Sequence, residues 1–84
     1  MYKVLVVEDS LTVRKIVNKL IEDNPHFTCD LCENLSEAQQ ALEKSHDYLV
    51  AIVDLNLPDA PNGESVELAL SHNVPTVVLT GNFD

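Results

Sequence analysis

The chain has 84 residues, 45% of them hydrophobic and 23% charged, an ordinary globular balance that excludes a low-complexity or disordered segment and allows one small domain at most. Fourteen acids against five bases leave a formal charge of −9, which argues against nucleic-acid binding by this segment, since phosphates would be repelled. Its longest apolar runs, about five or six residues, are too short to cross a bilayer, and Met1 leads into a strand-like run without a signal-peptide pattern, so a cytoplasmic domain with no membrane partner is expected.

Residues 3–8, KVLVVE, form a short β-branched apolar run that suits a strand covered on both faces. Val13, Ile16, Val17, Leu20 and Ile21 then recur at helical spacing behind Ser10, a suitable N-cap, and Asp23-Asn24-Pro25 stops the helix. FTCDLC at 27–32 reads as a second strand. Ser36 and Gln39 stand in capping-box spacing and predict a helix running from Ser36 through Leu42. YLVAIVDL at 48–55 is the most apolar stretch and reads as a central strand. A loop with Pro58, Pro61 and an Asn62-Gly63 pair leads to a short helix over 64–72, whose apolar content is Val66, Leu68, Ala69 and Leu70. PTVVLT at 75–80 is a fourth strand.

This β-α-β-α-β-α-β alternation predicts an α/β fold with a doubly wound parallel sheet, right-handed crossovers and helices on both faces. Ligands in such sheets bind beyond the carboxyl ends of the strands. The first strand ends at Glu8-Asp9, the third at Asp54 and the fourth at Thr80, so alignment of the strands gathers these residues in one crevice. The second ends at Glu33-Asn34, to which no role is assigned. Three carboxylates close together resist joint ionisation in apolar surroundings, and a hard divalent cation resolves the conflict. The donor set suits Mg2+, which keeps open positions for phosphate oxygens. Asp54 beside such a metal is a competent nucleophile toward phosphorus, and the Thr80 hydroxyl can donate to a phosphoryl oxygen.

Cys29 and Cys32 form a C-x-x-C within the second strand, where residues three apart face opposite sides about 10 Å from each other. That spacing is too wide for a disulfide, and a strand offers no helix N-terminus to acidify a thiol. Both are read as ordinary thiols.

VLVVEDS followed by an amphipathic helix, then VDLNLPDAPNG, then PTVVLTG, resembles the receiver domain of two-component response regulators over residues 3–81. The resemblance implies a flavodoxin-like fold and a phosphoacceptor domain rather than an enzyme. Phosphoryl groups would come from a sensor histidine kinase or phosphotransfer protein, and an output domain would lie outside the chain. It implies that Glu8 and Asp9 hold Mg2+, that Asp54 accepts the phosphoryl group and binds the metal, that Asn56 lends a backbone carbonyl, and that Thr80 is the switch hydroxyl. Asn56 and Asn82 would flank the water path to the phosphoryl group. The stretch 60–84 resembles receivers joined to modules that make or break down cyclic di-GMP.

The family pattern continues with a further helix, a fifth strand carrying a lysine, and a last helix. Residues 1–84 are therefore read as the N-terminal part of a single receiver domain, β1-α1-β2-α2-β3-α3-β4 without α4-β5-α5. The fourth strand would then be an unprotected edge, expected to promote a homo-oligomer by edge pairing or domain swapping. Two alternatives remain. A haloacid-dehalogenase-type phosphatase also uses a strand-end Asp but wants an acid where Asn56 stands, and a degenerate receiver would only bind partners.

Overall fold

The computed structural model describes residues 1–79. Seven elements follow in order: β1 (Tyr2–Val7), α1 (Leu11–Glu22), β2 (Phe27–Cys32), α2 (Leu35–Lys44), β3 (Tyr48–Asp54), α3 (Glu64–Ser71) and β4 (Thr76–Leu79). The strands form one parallel sheet in the order β2-β1-β3-β4, so the two most apolar strands lie at its centre. This is the doubly wound arrangement expected from the alternation.

Period-two alternation divides the central strands between two layers. Leu5 and Val7 of β1, with Ala51 and Val53 of β3, pack against Ala38, Leu42 and Ala69 of α2 and α3, where the main core lies. Val4 and Val6 face the other way, and Val4 with Val50 and Ile52 meets Leu20 and Ile21 of α1 across an apolar groove of about 270 Å³. A register shift between Lys3 and Val4 leaves Leu49 without a partner, and that side chain is exposed.

α1 forms over the predicted stripe, of which Ile16 and Leu20 are 55% and 69% exposed. α1 lies mainly over β2, and among the described residues the helices that pack on each other are α2 and α3. Its one buried residue is Arg14.

Helix ends account for the sharp turns. Ser10 caps α1 as predicted, its hydroxyl accepting from the Val13 amide at 3.3 Å. α2 starts one residue before the expected Ser36, and its cap is Asn34, accepting from the Glu37 amide at 2.9 Å. The Glu37 carboxylate reaches back to the Glu33 amide at 2.8 Å. Asparagine accepts here as well as serine does, and Glu37 satisfies the amide one residue before the cap, a variant of the box that the Ser36–Gln39 spacing only imitates. α3 ends in a Schellman turn, with Asn73 at φ 60° and the Val74 amide donating to Ala69 O at 3.1 Å. No described helix is long and apolar enough to cross a membrane.

Candidate functional site

β1 and β3 are parallel neighbours with Val7 opposite Val53. The next residue on each strand therefore sets Glu8 beside Asp54 at the carboxyl edge of the sheet, and Asp9 follows. Oxygens of these three carboxylates all lie within 4.8 Å of one another, with Glu8 and Asp54 buried and Asp9 exposed. Burial pushes the Glu8 carboxyl up to about 7; the Ser10 amide, donating to Glu8 Oε1 at 3.1 Å, works against this, while Asp54 and Asp9 add to it. Among the described residues no ion pair reaches the three groups. A hard, oxygen-seeking dication fits this donor set, because it supplies the missing positive charge.

Asp54 is held from two sides. Its Oδ1 accepts the Asn56 amide at 3.0 Å, and its main-chain oxygen accepts the Ser65 hydroxyl at 2.8 Å. Ser65 is 2% exposed, so α3 reaches the strand end through a buried bond. The loop between β3 and α3 is pinned rather than loose. Leu57 and Ala60 exchange backbone bonds around a Pro58-Asp59 turn, and both are buried. The Asp59 carboxylate accepts two hydrogen bonds, from the Leu35 amide at 2.9 Å and the Ser36 amide at 3.2 Å, which ties the loop to the start of α2. Gly63 turns the chain into α3 at φ 78°, a left-handed conformation that a side chain disfavours, and its added Cβ would sit 3.3 Å from Leu55 Cδ2.

Behind the acidic pair lies Arg14. Its Nη1 donates to Glu8 O at 2.8 Å and Asp9 O at 2.9 Å, and its Nη2 meets Glu33 Oε1 at 3.3 Å. Glu33, given no role from the sequence, thus belongs to the support of the site.

The structure brings together Glu8, Asp9 and Asp54, and adds Asn56 through its amide. Thr80 and Asn82 lie outside the described residues. Sequence reasoning missed Arg14, Ser65 and Asp59. Only Arg14 left a signal: it shares helical spacing with Val17 and Ile21, so a charge stood on a face meant for the core. Cys29 and Cys32 are free, and burial pushes both thiols up to about 11, as suits inert side chains.

A family model, the response regulator receiver domain, matches residues 4–84. The chain belongs to this family. Solved structures agree with the receiver fold. A two-component system response regulator/GGDEF domain protein is 37% identical with a TM-score of 0.85, covering 100% of this chain and 34% of that one. The MaeR response regulator bound to beryllium trifluoride is 21% identical with a TM-score of 0.84, covering 100% of this chain and 70% of its own. A sensor protein from Polaromonas sp. JS666 is 22% identical with a TM-score of 0.82, covering 96% and 66%. The last two speak to fold alone. The receiver chain thus spans about a third of the first structure's length. Comparison with curated proteins gave no match. Receiver membership does not favour the phosphatase alternative, and Asn56 occupies the position where that chemistry needs an acid.

Proposed function

We propose that this receiver accepts a phosphoryl group on Asp54 from a phosphohistidine of a sensor kinase or phosphotransfer protein, in a Mg2+-dependent reaction, and thereby switches an output module. The observation that carries this reading is the convergence of Glu8, Asp9 and Asp54 oxygens within 4.8 Å at the carboxyl edge of the sheet. Mg2+, held by Glu8, Asp9, Asp54 and the Asn56 carbonyl, would supply countercharge and a seat for the phosphoryl oxygens.

The chain's own residues do the rest. An Asp54 carboxylate oxygen attacks phosphorus; the new O–P bond forms as the P–N bond breaks, and its electron pair returns to the imidazole. The Asn56 amide on Oδ1 and the Ser65 hydroxyl on the Asp54 carbonyl fix the nucleophile at the strand end. In this reading the Thr80 hydroxyl then donates to a phosphoryl oxygen and transmits the change. The domain acts as a regulatory phosphoacceptor in the cytoplasm, with a GGDEF-type module as its output by extension from the 37%-identical structure. Self-association through β4, whose Val77 and Val78 are 51% and 39% exposed, belongs to the same proposal. A monodisperse monomer mass in light scattering refutes that part.

The central test is intact-mass spectrometry after incubation with Mg2+ and acetyl phosphate. The parent protein gains one phosphoryl group and Asp54→Asn does not. Retention of the added mass in Asp54→Asn overturns the assignment, as does its formation in excess chelator.

A further inference from the structure

We propose that Arg14 is a positioning residue for the metal-binding turn, its guanidinium clamping the backbone of Glu8 and Asp9 so that their carboxylates converge on Asp54. The inference rests on the reading of that cluster as a cation site. Arg14 is 8% exposed, and one of its nitrogens spans two consecutive carbonyls, Glu8 O at 2.8 Å and Asp9 O at 2.9 Å. These carbonyls belong to the two residues that leave β1, just before Ser10 caps α1. Holding both oxygens sets the two peptide planes, and with them the directions in which the Glu8 and Asp9 side chains depart.

Helix packing alone does not call for this residue. A buried guanidinium loses its hydration and is tolerated only where its donors are paired, so an apolar side chain beside Val17 and Ile21 would serve the core at least as well. The Glu33 contact does not explain it either, since that carboxylate is 63% exposed and such pairs contribute little. What distinguishes the position is the pair of carbonyls directly behind the acidic cluster. There the two N–H bonds of Nη1, held in the guanidinium plane, meet two acceptors in fixed directions, which a freely rotating lysine ammonium does less well.

The test compares the parent with Arg14→Met and Arg14→Lys by Mg2+ titration, following the amide resonances of residues 8–10, beside urea unfolding of each protein in chelator. Groups that orient metal ligands from behind typically alter affinity by about 10–100-fold, so Arg14→Met is expected to weaken Mg2+ binding about tenfold and Arg14→Lys by a smaller factor. The amides of Glu8, Asp9 and Ser10 should shift in the metal-free variants, showing that the turn has moved. If the parent itself binds no Mg2+, the cation-site reading fails. If the parent binds and both variants bind equally well, or lose only their urea midpoint, the positioning role is overturned. Arg14→Lys keeps the buried charge and decides the matter should Arg14→Met not fold.

Discussion

Glu8→Gln tests the electrostatic account of the site most directly. In the metal-free protein Glu8 is 4% exposed and its carboxyl is pushed from 4.5 up to about 7, burial being the main cause. A carboxyl raised in this way binds its proton more tightly folded than unfolded. Its contribution to stability is therefore full below 4.5 and is lost as the pH rises through about 7. The whole shift corresponds to about 3 kcal/mol, and water entering beside exposed Asp9 screens part of it, leaving about 1–2 kcal/mol. Glutamine keeps the shape and still accepts from the Ser10 amide, but carries no charge. In chelator at about pH 8, Glu8→Gln should therefore be more stable than the parent by about 1–2 kcal/mol, a difference that shrinks to a few tenths near pH 5. Saturating Mg2+ should reverse the order, because the parent gains binding energy that the variant largely lacks. Urea unfolding followed by circular dichroism measures all of these. A variant less stable than the parent in chelator at the higher pH would show that Glu8 is not strained, and the reasoning would fail.

Ser65→Ala removes the donor to the Asp54 carbonyl and leaves a buried acceptor unpaired, so unfolding free energy should fall by about 1–3 kcal/mol in urea titrations. Asp59→Ala frees the Leu35 and Ser36 amides and unties the loop from α2, lowering the urea midpoint at neutral pH. The Leu35 amide, with Ser36 helping, holds the Asp59 carboxyl below its ordinary 3.8, so this stabilisation is present above 3.8 and the gap between the proteins closes as the pH falls through the depressed value. Cys29 and Cys32, raised by burial from 9.0 to about 11, should react with a disulfide reagent far more slowly in the folded than in the unfolded protein, and equal rates would contradict their burial. Their raised values also mean that stability is lost as the pH climbs from 9.0 through about 11, readable as a falling melting temperature.

The fold places the Glu8-Asp9 pair and the Asp54 carboxylate on different supports. Glu8 and Asp9 belong to a turn braced by Arg14 from α1, whereas Asp54 is braced by Ser65 from α3. Metal binding would join the two halves, so its effect on the site should exceed that of either brace alone.

Much of this receiver domain is set by its local sequence. The β-branched runs of β1 and β3, the helical spacing of α1 and the turn residues at 56–63 specify seven elements in order, and parallel alternation alone places Glu8, Asp9 and Asp54 at one edge. Their convergence was legible because strand ends and charge are one-dimensional features. Tertiary structure decided what depends on partners distant in the chain. Asn34 rather than Ser36 caps α2 because Glu37 and Asp59 complete that corner, and Asp59 comes from 23 residues away from Ser36. Ile16 and Leu20 have the spacing of core residues yet remain exposed, since burial needs a facing surface that periodicity cannot supply. Arg14 shows the same rule from the other side. A charge on an apolar stripe looks like a flaw until folding brings two strand-end carbonyls within its reach.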